Sequence, residues 1–237
     1  LKRVTVRLGS PQKVESTRTT FSAEGFPPAP PTRCYMPAAA LPVNEEERVS
    51  RLLELQVLDS APEAEFDALV NVASMICGTP ISLISLIDRD RQWFKANVGL
   101  PDTSETDRGS AFCAHAVYGT QFLEVPDAIL DTRFRDNPLV TGAPNIRFYA
   151  GAPLVLSNGH CVGTLCVIDR EPRELTVQQR DVLTHLARAA AKALESRGVA
   201  LRLHENELKL RQLHSDLEQE HNRRTELLAM LAHELRN

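Results

Sequence analysis

The run Ile81-Ser82-Leu83-Ile84-Ser85-Leu86-Ile87 constrains this chain more than any other segment, because its Ile and Leu residues fall on both faces of an extended backbone. Side chains alternate at period two along a strand. A strand that is apolar on both faces belongs in the middle of a sheet and must be covered on each side.

The flanking segments supply the cover. Asn44 followed by Glu45, Glu46 and Glu47 places a capping side chain and first-turn carboxylates at the positive end of a helix that continues through Val49, Leu52, Leu53 and Leu55 to about Leu58. Ser60-Ala61-Pro62-Glu63 repeats the pattern, and Phe66, Leu69, Val70, Ala73 and Ile76 predict a second helix over 62–77, closed by Gly78. Gln92–Val98 reads as the next strand. Phe148–Leu156 and Cys161–Ile168 flank Asn158-Gly159, a pair suited to a type I′ hairpin turn. Thr176 then caps a long helix through Val182, Leu183, Leu186, Ala190 and Leu194. The expected class is α+β, a central antiparallel sheet with flanking helices.

Both ends differ from this middle. Residues 1–42 hold seven of the 15 prolines and no sustained period, and read as a disordered extension. They contain six of the 27 basic residues and two of the 31 acidic ones, so the remainder carries −8 of a net −4 chain, without the cationic footprint that nucleic-acid binding requires. The start at Leu1 reads as a fragment or an alternative start codon. Beyond Gly198, Leu203, Leu210 and Leu217 recur every seven residues with Leu213 between them, and the spacing slips before Leu228, Leu231 and Leu235, as in a coiled coil with a stutter. The domain reading is 1–42 extension, 43–197 globular domain, 198–226 coiled helix and 227–237 the start of a further element. No apolar run approaches the ~20 residues of a membrane span. Five cysteines without a leader read as reduced thiols in a cytoplasm.

Residues 44–196 resemble a GAF domain, a small-molecule sensory module. The likeness is carried by Ile81–Asp88, Arg91-Gln92-Trp93-Phe94-Lys95, Phe112-Cys113-Ala114-His115-Ala116, Arg147–Leu154 and Gly163-Thr164-Leu165-Cys166-Val167-Ile168-Asp169, in that order. The resemblance implies an unnamed small-molecule ligand held between sheet and loops, and dimerisation through flanking helices. Residues 227–237 resemble the start of the dimerisation helix of sensor histidine kinases, through His233-Glu234-Leu235-Arg236-Asn237 after Leu228-Ala229-Met230-Leu231-Ala232. This likeness implies His233 as phosphoacceptor, Glu234 as the carboxylate that orients it and takes its proton, and Asn237 as a water-positioning residue in the reverse, phosphatase direction. It further implies ATP and Mg for the parent kinase, and a response-regulator receiver domain as partner. The nucleotide-binding domain is not within these 237 residues, so the piece alone is expected to be inactive.

Plainer readings stand beside these. Cys113 and His115 are, with Arg147, Phe148 and Tyr149, candidate ligand-binding residues; they could also hold a metal with Cys161 or Cys166, but a buried thiol and a hydrogen-bonded histidine are the expectation, and no metal site is expected. Cys161 and Cys166, five apart on one strand, are expected on opposite faces. Phe148 and Tyr149, like Trp93 and Phe94, line a ligand pocket or fill the core. Arg147 binds a ligand anion or pairs with Asp127, Asp131 or Asp136. The functional expectation is the sensory and phosphoacceptor part of a cytoplasmic sensor histidine kinase, homodimeric through its last helix. The alternatives are a stand-alone GAF module and a GAF-type methionine sulfoxide reductase with a catalytic thiol such as Cys113.

Overall fold

The computed structural model describes residues 38–234. Most of the proline-rich stretch, and Leu235, Arg236 and Asn237, lie outside them.

Two helices, α1 (Glu45–Glu54) and α2 (Ala64–Cys77), precede a six-stranded antiparallel sheet. The strands are β1 (Ile81–Ile87), β2 (Arg91–Val98), β3 (Glu105–Asp107), β4 (Leu123–Val125), β5 (Phe148–Val155) and β6 (Cys161–Asp169), ordered β3-β2-β1-β6-β5-β4. Short helices α3 (Phe112–Gly119) and α4 (Pro138–Thr141) interrupt the strands, and α5 (Val177–Glu234) closes the chain. The strand β1 is central and buried along its whole length, as its two-faced apolar pattern requires.

Each face of the sheet has its own core. Ile84 and Leu86 of β1 join Leu52 of α1, Phe66 and Val70 of α2 and Leu183 of α5 on one face. On the other, Ile81, Leu83 and Ile87 join Phe112 and Cys113 of α3, with Phe134, Val140 and Ile146 from the long connection before β5. Burying side chains of this kind stabilises by about 1.5–3 kcal/mol each relative to exposure.

Local details depart from the sequence-based expectations for identifiable reasons. The helix α1 stops at Glu54, short of Leu58, because Gln56 turns into the left-handed region (φ 51°) and α5 takes over the helix-end carbonyls. Arg202 donates to the Glu54 carbonyl, and Arg197 to those of Leu55 and Gln56. Asn44 does not cap α1; its amide lies 3.0 Å from the His160 ring. The second helix ends on Gly78 (φ 63°), as expected, but begins at Ala64, two residues late, with Glu63 at its N-cap and no side-chain cap, since the Ser60 hydroxyl donates to the Val57 carbonyl instead. The β5–β6 turn is not type I′: Leu156 and His160 close a three-residue loop in which only Gly159 has positive φ (87°), the geometry of a type I turn followed by a left-handed residue.

That hairpin also carries a bulge, since Leu154 pairs with Gly163 but Val155 with Cys161. One extra residue reverses the alternation. Cys161 therefore lies with Cys166 in the core beneath α3, not on the opposite face.

At the start of α5, Thr176 and Gln179 form a reciprocal capping box: the Thr176 hydroxyl accepts from the Gln179 amide, and the Gln179 side chain accepts from the Thr176 amide. The helix runs unbroken through Gly198 for 58 residues, about 87 Å at 1.5 Å per residue. Its first turns are buried on the sheet, while Leu203, Leu210, Leu213 and Leu217 are exposed. No helix among the described residues is long and apolar enough to cross a membrane.

Candidate functional site

Beneath the loops on the α3 side of the sheet lies an apolar cavity of about 230 Å³. Leu83 of β1, Phe94 of β2, Ile168 of β6 and Ile146 form much of its wall, with Leu100 from the β2–β3 loop. Three polar residues, Gln92, Thr103 and Thr106, break this surface. Gln92 and Thr106 face each other across the β2–β3 pairing, and both line the cavity. Gln92 is 95% buried, and neither its Oε1 nor the Thr106 Oγ1 has a hydrogen-bond partner. Burial without a partner costs about 1–3 kcal/mol per group. No ionisable side chain lines the cavity.

One residue beyond Phe94, Lys95 points to the other face. Its buried ammonium donates to the Ser60 hydroxyl (2.9 Å), the Ala61 carbonyl (2.8 Å) and Glu63 Oε1 (2.5 Å). The same Glu63 oxygen accepts from Arg197 of α5 at 2.6 Å. Burial raises the Glu63 carboxyl, but the bonds from Lys95 and Arg197 hold it below its ordinary value. The strand β2 thus has the cavity on one side and a charged link to the helix on the other.

The residues singled out in the sequence do not form one pocket. Arg147 makes a bidentate pair with Asp127 (2.8 and 2.7 Å), so its charge is answered within the protein. Phe148 packs on the helical face with α2 and α5. Tyr149, its neighbour, is wholly buried on the α3 side, where its hydroxyl donates to Cys113 Sγ at 3.4 Å. Cys113 Sγ in turn lies 3.8 Å from Cys166 Sγ. His115 meets the Phe134 ring edge-on at 4.8 Å; burial and then the Arg133 charge lower its pKa. Among the described residues no cluster of His, Cys, Asp or Glu is built to hold a metal. The α5 backbone continues through His233 and Glu234, whose side chains, with all of Asn237, lie outside what the structure describes. Of the cavity residues the sequence marks Phe94 alone as pocket lining; Gln92 beside Trp93 and Phe94, a polar side chain within a buried strand, is the further signal it carries.

A GAF domain family model matches residues 61–194, more than half of the chain and all six strands. The chain belongs to the GAF domain family. A cyclic di-GMP phosphodiesterase, PA2567 of Pseudomonas aeruginosa, is 48% identical over 149 residues, covering 62% of this chain and 25% of that protein. The chain thus spans about a quarter of the length of that curated relative. Solved structures similar to it include the GAF domain of an Acinetobacter phosphoenolpyruvate-protein phosphotransferase (16% identity, 66% of this chain and 95% of that one, TM-score 0.49). Another is the free methionine-R-sulfoxide reductase of Neisseria meningitidis (19% identity, 71% and 99%, TM-score 0.47).

Proposed function

We propose that this GAF domain senses a small, uncharged, mainly apolar molecule in the Gln92–Thr106 cavity and passes its occupancy to α5. The observation that carries this reading is the pair of buried, unpartnered polar atoms in a mainly apolar wall. A ligand with one donor and one apolar body satisfies both and fills the rest, the usual composition of a small-molecule site. At about 230 Å³ the cavity is smaller than common drug-sized sites. An ionic ligand would find no counter-charge there.

Transmission runs through β2, since a shift of Phe94 moves Lys95, which holds Glu63, which holds Arg197 near the point where α5 leaves the domain. The output we propose is phosphorylation of His233, with Glu234 as proton acceptor, Asn237 as water-positioning residue, and ATP and Mg bound by a domain beyond this chain. A receiver domain would take the phosphate, and two copies would pair through the exposed leucines of α5. The histidine motif at the end of a continuous helix supports this.

The likeness to PA2567 favours a second reading, in which the same input domain governs cyclic di-GMP hydrolysis. In that case the dinucleotide is the substrate of a further domain, since its two phosphates and size do not suit the cavity. The full-length protein decides between them. Incubated with Mg-ATP, it should gain acid-labile phosphate that His233→Gln abolishes; hydrolysis of cyclic di-GMP without such labelling would establish the second output and overturn the first.

A further inference from the structure

We infer that Cys113 and Cys166 form a dithiol that a hydroperoxide oxidises to a disulfide, tying α3 to the central strand β6. The two sulfurs lie 3.8 Å apart, and both residues are at least 98% buried. They must close by roughly 1.8 Å to reach the disulfide bond length of about 2.05 Å, a movement within reach of side-chain rotation and a small shift of an eight-residue helix.

The surroundings are those of a reacting sulfur. The Tyr149 hydroxyl donates to Cys113 Sγ, and a Cβ at Gly151 would collide with that hydroxyl, so the strand beneath leaves room for it. Ser85 and Thr164 pair across β1 and β6, on the face that carries Cys166. Their hydroxyls are fully buried and have no hydrogen-bond partner in the dithiol state. Both adjoin Cys113 and can turn toward a thiolate or the oxygen of a sulfenate. Burial raises the Cys113 thiol, but the Cys166 thiol and the Tyr149 hydroxyl in contact with it bring it below its ordinary value. Burial pushes Cys77 and Cys161 up to about 11, Cys161 despite backbone hydrogen bonds at Gly163 and Leu154. The thiolate is the nucleophile in peroxide chemistry, so Cys113 is the attacking sulfur, and Cys166, held well above the ordinary thiol range by its contact with Cys113 and by burial, is the thiol that resolves the sulfenic acid.

The steps balance. The Cys113 thiolate attacks one peroxide oxygen; an S–O bond forms, the O–O bond breaks, and the leaving alkoxide or hydroxide takes a proton. Cys166 loses its proton and attacks the sulfenic sulfur; the S–S bond forms, the S–O bond breaks, and water leaves. Two thiols and one hydroperoxide become one disulfide, one alcohol (water, from hydrogen peroxide) and one water. Leu83, the register partner of Cys166, and Ile168, two residues along the same face, both line the cavity, so the new bond ties α3 directly to the cavity wall.

The test is mass mapping of the 237-residue chain after a few equivalents of hydrogen peroxide, alkylation and digestion. The expected product is a crosslinked peptide pair containing residues 113 and 166, two hydrogens lighter than the free peptides and restored by dithiothreitol. Hydrogen exchange in α3 should slow in the oxidised protein and stay unchanged in Cys166→Ser treated alike. Tyr149→Phe, which keeps the ring, should slow crosslinking roughly fivefold through loss of one hydrogen bond to sulfur. Two alkylated thiols after peroxide, a Cys113–Cys161 crosslink, or sulfinate at Cys113 without a crosslink would each overturn the inference, whether or not a variant folds.

Discussion

Glu45 shows how one side chain can organise a corner of the molecule. It accepts two bonds from Arg48 (2.8 and 2.6 Å) and one from Arg108 (2.5 Å), while Arg48, itself buried, also donates to the Ile87 carbonyl at the end of the central strand. Burial raises the Glu45 carboxyl, yet the two guanidinium groups bring it down to about 2. A carboxyl whose folded pKa lies below its unfolded value of about 4.5 contributes stability above that value and loses it as pH falls toward 2. Urea denaturation between pH 5 and pH 2.5 should therefore show a steeper loss in the unaltered protein than in Glu45→Gln, and parallel curves would contradict the assignment. Gln92 makes the opposite kind of statement. An orphaned buried amide oxygen is a cost, so Gln92→Met should raise ligand-free stability by about 1 kcal/mol while abolishing binding of any molecule that the cavity accepts. A stability decrease, measured by urea titration, would mean that Gln92 is satisfied in solution.

Among the elements, the pairing of β1 with β6 is the tightest constraint. A Cβ at Gly163 would collide with the Ser85 carbonyl and crowd Leu86, so Gly163→Ala forces backbone apart and should cost about 2–3 kcal/mol, the upper range for overpacking. Thermal unfolding reads this directly. The helix α5 has two regimes: packed where Leu183, Ala187, Ala190 and Leu194 meet the sheet, and open on every side over 202–226. The exposed stripe of Leu203, Leu210, Leu213 and Leu217 predicts a parallel homodimer, so Leu210→Asp with Leu217→Asp should sediment as a monomer without loss of domain stability. A monomer at micromolar concentration in the unaltered protein would refute the pairing.

At the scale of the whole molecule, Lys95, Glu63 and Arg197 join the sheet to its long helix. Removing Glu63 strands a wholly buried ammonium, and Glu63→Ala should cost about 3–5 kcal/mol; Arg197→Ala leaves the Lys95–Glu63 pair intact and should cost nearer 1 kcal/mol. Equal losses in urea titration would show that the link is not organised around the lysine. Four of the six strands, their order with the three longest helices, and the root of α5 are legible in the chain because hydrophobic period and capping residues act over a few neighbours: Ile81–Ile87 reads as central and Thr176 as a helix cap, whereas β3, β4, α3 and α4 are too short to carry a period. The same locality hid the rest. A bulge near Val162 turned Cys161 to the face of Cys166, contrary to strict alternation, because an extra residue in one strand is visible only against its partner. The ending of α1 was decided by Arg197 and Arg202, more than 140 residues away. The cavity depends on Gln92 meeting Thr106 across two strands, and the dithiol on α3 lying over β6. Sequence alone determined which of the longer segments are helix or strand and which carry apolar faces. Tertiary structure decided which polar groups find partners, because charges, thiols and amides act at hydrogen-bond distance on residues that only the folded sheet brings together.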